Sequence, residues 1–390
     1  QINNRVVIVG AARTPVGAYL GDLKTVPVEE LGVIALKEAI KRSMLNIDDI
    51  DEVIVGHVTG SQTTNNLGRI IGLDSGLRNE STGFTVNRIC GSGIQSAVSA
   101  TQSLLSGKVN FVAAGGAESL SRAEYYLPAS ARYQGLRMGD AKLIDANDEG
   151  HRTASGRQNK DITHMGLTAE LVVEKYAITR EQQDIFAYNS QVKTQKAVAS
   201  GRLAQEIVAV EIKGKNGKMT LVEKDGHPRP EATIEDLAQL KPVFKNDGTI
   251  TPGNASGLND GAAFEIFTTY ASAVEKNLEI MAEVIDYSIT GLDPRYMGLG
   301  PVSAIDNLLK NNKLTRDDID ILEINEAFAG QVIGCLIELG HPPGTALYER
   351  LNPNGGACAL GHPLGMSGAR ILTSICYEFK NYRDKKFAIA

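Results

Sequence analysis

An internal repeat limits the fold more than any other feature of the sequence. The stretch Ile47-Asp48-Asp49-Ile50-Asp51-Glu52-Val53-Ile54-Val55 resembles Thr315-Arg316-Asp317-Asp318-Ile319-Asp320-Ile321-Leu322-Glu323, with Asp-Asp-Ile-Asp at 48–51 and again at 317–320. Each copy is followed by a glycine-rich turn that opens a helical pattern: Cys90-Gly91-Ser92-Gly93 in the first, Gly361-His362-Pro363-Leu364-Gly365 in the second. Each helix then runs to a β-rich segment, Phe111–Ala114 or Phe387–Ala390. A four-residue match alone is open to chance, but the repeated order of turn, helix and strand reads as a duplicated unit. Two homologous halves follow, 1–120 and 265–390. Between them, 121–264 is polar and irregular, holds the end of the first half, and is too long for a linker. It reads as an inserted loop domain, the kind of insertion that carries a binding site.

Further strand signals are Val6–Val9, Val53–Val55, Met281–Ile285 and Ile319–Ile324. Helical spacing appears at Leu31, Ile34, Ala35, Glu38 and Ala39, at Ile94, Ala97, Val98 and Leu105, and near 165–176 and 180–200. Strands alternating with helices indicate α/β layering. Hydrophobic residues at 42% and charged residues at 22% exclude a disordered or fibrous chain. No apolar run reaches the roughly 18 residues a membrane span needs. Forty basic against 46 acidic residues argue against nucleic-acid binding. The four cysteines form no Cys-x-x-Cys pair and no disulfide framework, so free thiols in a reducing, cytoplasmic setting are expected. The start, Gln1–Arg5, has no signal-peptide layout, and a first residue other than Met implies trimming. The second copy stops at Ala390 inside its last strand, whereas the first continues into Gly115-Gly116-Ala117-Glu118. The expectation is a natural chain that runs beyond Ala390.

Cys90 is the leading candidate for chemistry. A thiol at a helix N-terminus feels the positive end of the helix dipole, which is expected to hold its pKa below the free value of about 8.5. The adjacent glycines would let a carbonyl approach backbone amides. The other reading is a small buried residue in a tight turn. His362, in the second glycine-rich turn, would meet Cys90 if the halves pack about a pseudo-two-fold axis, giving the thiol–imidazole pair of nucleophilic catalysis. Its alternative is a turn histidine bonded to backbone. Asn325-Glu326 follow the strand ending at Ile324, where α/β folds place ligands. There Asn325 would polarise an oxygen or position a water and Glu326 would orient a neighbour, unless Asn325 is only a helix N-cap. Met165 and Met297 fit either a small apolar pocket or core packing. Cys335, Cys358 and Cys376 read as packing, and His57, His151, His227 and His341 lack metal-ligand spacing. There is no phosphate loop, no His-Glu-x-x-His and no Gly-x-Ser-x-Gly.

In order, these segments resemble the thiolase family over nearly the whole chain. The resemblance rests on Ala12–Pro15, Asn87–Gly93, Ala114–Ser119, His164–Glu170, Gly253–Ala262, Met297–Pro301, Asn325–Phe328 and Asn352–Arg370. It implies two similar βαβαβαββ halves in α-β-α-β-α layers, with a loop domain that holds coenzyme A. It implies Claisen condensation of two acetyl-CoA to acetoacetyl-CoA plus CoA, or thiolysis in reverse, with CoA thioesters as substrates and no metal or other cofactor. Cys90 then matches the acylated nucleophile, His362 the histidine that activates it, and Asn325 the asparagine that holds the oxyanion-hole water. Ser256 and His164 fall beside the pantetheine arm, Arg229 near the adenine, and Met165 and Met297 at the acyl pocket. The family's second cysteine, the base of the condensation step, lies in a Cys-x-Gly segment expected beyond Ala390. Assembly as a homodimer or homotetramer is implied as well. The competing readings are a ketoacyl-synthase-like condensing enzyme and a non-catalytic CoA- or lipid-binding paralogue.

Overall fold

The computed structural model describes residues 4–153, 164–214 and 217–390; the opening Gln1-Ile2-Asn3 falls outside them. The first half is organised on a seven-stranded sheet. Its main strands are β1 (Val6–Arg13), β2 (Glu52–Gly56), β3 (Thr82–Val86), β4 (Phe111–Ser119), β5 (Asn259–Thr269) and β6 (Ala282–Val284). They lie in the order β6-β1-β5-β4-β2-β3, and the short strand Gly17–Ala18 pairs with β5. β2 runs parallel to both β3 and β4, whereas β5 is antiparallel to β4 and to β1. Every residue of β1 and β4 is buried. Strands covered on both faces have no polar side, so they show as continuous apolar or small-residue runs. β5 was not anticipated, because Asn259, Asp260 and Glu265 interrupt its apolar run, and all three are buried. A division of the chain at 264/265 therefore cuts through a central strand.

Helix α1 (Val28–Ser43) packs on one face with α2 (Leu67–Ser75). Pro27 precedes α1, Glu29 and Glu30 lie in its first turn and Lys41 and Arg42 in its last, all favourable to the helix dipole. Its buried stripe is Leu31, Ala35, Leu36 and Ala39, close to the expected one. On the other face lie α3 (Ser92–Leu105) and the C-terminal α8 (Leu364–Asn381). In α3 the buried position is Leu104, not the expected Leu105, which is exposed. Between these in sequence come α4 (Met165–Lys175), α5 (Arg180–Ala199), α6 (Gly300–Asn312) and α7 (Ala329–Glu338). Residues of α5, α6 and α7 share a second core with Ile319, Leu322 and Ile324.

The duplication shows in backbone detail. Both Asp-Asp-Ile-Asp copies form a single 3₁₀ turn with a capping box, Asn46 with Asp49 and Thr315 with Asp318. Asp51 accepts from the amides of Asn110 and Phe111, at 2.7 and 3.1 Å. Asp320 accepts from Lys386 and Phe387, also at 2.7 and 3.1 Å. Each aspartate thus ties the start of one strand to the start of its parallel neighbour: β2 to β4, and β7 (Ile321–Leu322) to β8 (Ala388–Ile389). The halves are unequal, however. β4 is paired on its other side by β5, but β8 pairs only with β7 among the described residues. The second sheet therefore has two strands rather than a full complement, and only Ile321–Leu322 of the expected Ile319–Ile324 run is paired. A cleft of about 560 Å³ lies along β8, walled by Ala97, Ile305, Ile375 and Ala390.

Candidate active site

Helices α3 and α8 cross where neither has side chains to hold them apart. A Cβ on Gly93 would overlap the backbone of Ala369, and one on Gly368 would overlap the amide of Ile94. A Cβ on Gly116 would likewise overlap the carbonyl of Gly365. This close crossing brings the turn before α3, which carries Cys90, against the turn before α8, which carries His362. Both residues line one cavity of about 980 Å³.

Cys90 sits on a strained turn. Ile89 has φ +49°, a left-handed conformation unusual for a β-branched residue. Ser92 holds it there: its fully buried hydroxyl accepts from Arg88 N at 2.8 Å and donates to Ile89 O at 2.6 Å. Cys335, Cys358 and Cys376 are buried, as expected, so Cys90 is the partly exposed cysteine of the described chain.

His362 is fixed by Asn259, whose side-chain carbonyl accepts from His362 N at 2.8 Å while its amide donates to Gly17 O at 2.9 Å. Gly361 has φ +96° and would collide with Asn259 if it bore a Cβ, so glycine is required there. Ser367 Oγ lies 2.6 Å from His362 Nδ1 and donates to Pro363 O at 3.0 Å. With the hydroxyl hydrogen directed to the carbonyl, Nδ1 would carry the imidazole proton and Nε2 the lone pair. The side-chain amide of Asn325 approaches that Nε2 at 3.3 Å. Asn325 Oδ1 is buried and has no hydrogen-bond partner among the described residues. Asn325 does not cap a helix, because the cap of α7 is Phe328.

The electrostatics differ from the expectation for Cys90. Burial of the thiol pushes its pKa up to about 12, with the Glu118 carboxylate adding to the rise and a backbone hydrogen bond opposing it. Burial likewise lowers His362 to about 3. The dipole of α3 does not overcome desolvation here, and both shifts favour the neutral forms, thiol and imidazole.

Residues 6–271 match the family model for the thiolase N-terminal domain, and residues 278–390 match that for the thiolase C-terminal domain. The chain belongs to the thiolase family. A curated acetyl-CoA acetyltransferase from Syntrophomonas wolfei is 43% identical over 390 residues, 99% of this chain and 95% of that protein. The crystal structure of the Bacillus anthracis acetyl-CoA acetyltransferase superposes with a TM-score of 0.92 at 39% identity, covering 98% of this chain and 94% of that one. Human mitochondrial 3-ketoacyl-CoA thiolase in complex with CoA gives 0.91 at 37%, covering 99% and 94%. The family sets aside the ketoacyl-synthase reading.

In this thiolase the cavity gathers Cys90, His362, Asn325, Ser256, His164, Met165 and Met297. His164 caps α4, its Nδ1 accepting from Gly166 N at 3.1 Å, and packs between His151 and Phe244, ring centroids 5.6 and 4.8 Å away. Arg229 is placed apart: it is exposed, does not line the cavity, and bonds Gln191 through its backbone amide. Glu326 does orient neighbours, accepting from Ser190 Oγ at 2.7 Å, Asn352 Nδ2 at 2.7 Å and Cys358 N at 3.1 Å. Sequence reasoning missed Ser92, Asn259, Ser367 and Glu118. Ser92 and Ser367 lie at i+2 from Cys90 and i+5 from His362, a proximity signal in the sequence. No metal-binding cluster occurs among the described residues, and no helix among them is long and apolar enough to cross a membrane.

Proposed function

We propose that the chain catalyses the Claisen condensation of two acetyl-CoA to acetoacetyl-CoA and CoA, together with the reverse thiolysis, through an acyl-Cys90 intermediate. The observation that carries this reading is the shared cavity of Cys90 and His362, with His362 held in place by Asn259 and Ser367. His362 takes the thiol proton as Cys90 Sγ attacks the thioester carbonyl. The Sγ–C bond forms, the C–S bond to CoA breaks, and the proton passes from His362 to the departing CoA sulfur. Starting from two neutral groups, this route avoids a resting charge pair in a desolvated pocket. Asn325, turned toward His362 with its oxygen unpartnered, supports a role in orienting the water or substrate group that stabilises the oxyanion.

In the second step an α-proton leaves the second acetyl-CoA, the resulting carbanion attacks the acyl carbonyl, and Cys90 departs as thiolate. This step needs a base to take that α-proton. Met165 and Met297 at the cavity wall support a short acyl group, and Ser256 with His164 supports pantetheine binding there. CoA thioesters enter as substrates, and the steps as written call for no further cofactor. The reading places a homodimer or homotetramer in the cytoplasm.

Intact mass before and after acetyl-CoA, with acetoacetyl-CoA thiolysis assayed in parallel, tests the proposal. Acetylation on Cys90, loss of both acetylation and turnover in Cys90→Ala, and faster thiolysis of acetoacetyl-CoA than of longer 3-ketoacyl-CoAs are expected. A fully active Cys90→Ala enzyme refutes it. Acetylation without turnover in either direction would instead favour a binding paralogue.

A further inference from the structure

Glu118 stands at the buried end of β4, has no solvent exposure, and takes no part in the chemistry above. Its carboxylate gathers four donors from two separate places. Oε2 accepts from Val58 N at 3.0 Å and from Gly365 N at 2.9 Å. Oε1 accepts from Thr59 N at 3.1 Å and lies 3.0 Å from His57 Nδ1. Val58 and Thr59 line the cavity, and Gly365 belongs to the first turn of α8, three residues beyond His362. One side chain of the first half therefore holds both a wall of the cavity and the histidine turn of the second half. A buried carboxylate costs several kcal/mol to desolvate unless its lone pairs are filled, and here they are. The pairing also keeps its pKa low despite burial, with His57 and the backbone amides as the cause.

Resting on the Cys90–His362 reading above, we infer that Glu118 is the positioning residue that sets the histidine turn against the wall that faces the substrate. It does so by joining the Gly365 amide to the Val58–Thr59 amides through one carboxylate. A carboxylate is required because all four groups donate. With glutamine, either orientation of the side-chain amide presents N–H to a backbone N–H, that of Thr59 or those of Val58 and Gly365, so the wall or the turn must shift. Aspartate keeps the charge but is one methylene too short to span both.

The test is steady-state thiolysis of acetoacetyl-CoA by Glu118→Gln and Glu118→Asp, with melting temperature recorded and Cys90→Ser run alongside. A displacement of the histidine turn lowers kcat by about tenfold or more while KM stays within about threefold, since binding contacts are kept and only the reacting geometry is lost. A structural role alone would lower the melting temperature and leave kcat of the folded enzyme unchanged. Wild-type kcat in either folded variant overturns the inference, and should Glu118→Gln not fold, Glu118→Asp decides. An active Cys90→Ser would refute the nucleophile reading itself. An inactive Cys90→Ser beside an unimpaired Glu118 variant would refute only the role of Glu118.

Discussion

Replacing Ser92 by alanine should separate stability from activity in this enzyme. The Ser92 hydroxyl makes two hydrogen bonds, to Arg88 N and Ile89 O, and their loss costs about 2 kcal/mol at about 1 kcal/mol each. The same bonds hold Ile89 at φ +49°, and relaxing a non-glycine residue out of that region returns about 1–2 kcal/mol. The two terms nearly cancel, so the net destabilisation should be about 1 kcal/mol or less, a shift of a few degrees at most in melting temperature. Relaxation of Ile89 nevertheless moves Cys90, its neighbour. A displacement of about 1 Å at a reacting atom costs about 100-fold in rate. The assay is acyl-enzyme formation by mass spectrometry after mixing with acetyl-CoA, paired with thermal denaturation. The expected result is a folded Ser92→Ala protein that acetylates about 100-fold more slowly. A variant that acetylates at the wild-type rate would show that the strained turn does not set the position of the thiol. A large loss of melting temperature with normal acetylation would show that Ser92 is only structural.

Two more predictions follow from buried titratable groups. The pKa of His362 is lowered by burial from 6.5 to about 3, so the unfolded chain binds a proton below pH 6.5 that the folded chain refuses. Stability from this group is therefore complete above pH 6.5 and declines as pH falls toward 3. Between pH 6.5 and 5 the decline is about 2 kcal/mol, and urea denaturation of His362→Gln should show a slope shallower by that amount; an unchanged slope would contradict the burial argument. Glu323 has the opposite sign. Burial raises its pKa from 4.5 to about 8, and its Oε2 has no partner among the described residues. The folded chain keeps a proton that the unfolded chain loses, so stability falls as pH rises from 4.5 to 8. Glu323→Gln should gain about 4 kcal/mol at pH 7.5 and almost nothing at pH 4.5, and equal effects at both pH values would refute the assignment.

What could be read from the sequence was whatever repeats locally. The Asp-Asp-Ile-Asp copies encode a capping turn and a strand link within a short span, so the duplication was visible and the structure reproduces its hydrogen bonds pair for pair. Cys90 and His362 were legible because their glycine-rich turns are contiguous. β5 was not: its place between β1 and β4 buries Asn259, Asp260 and Glu265, and polar residues in a central strand break the apolar signal. Their partners explain why they are tolerated there. Asp260 accepts from Ser121 N and Oγ, Glu265 from Thr373 Oγ1, and Asn259 serves the histidine turn. Glu118 was equally hidden, since its four donors come from residues 57–59 and 365.

The lowered thiol pKa expected for Cys90 failed for a reason that bears on the mechanism. A helix N-terminus contributes about 0.3–1 kcal/mol to an anion at an exposed position, whereas removing a thiolate from water costs several. In a cavity walled by the apolar faces of two helices, desolvation wins, and the helix end has too little field to form the anion alone. Glu118 adds to the bias: its charge disfavours a thiolate on Cys90 and favours a proton on His362. An ion pair at rest would have to overcome the burial of both groups, whereas proton transfer during attack moves the charge onto the substrate oxygen as soon as it is created. In the proposed mechanism the arrangement suits a nucleophile that gives up its proton as the thioester is attacked.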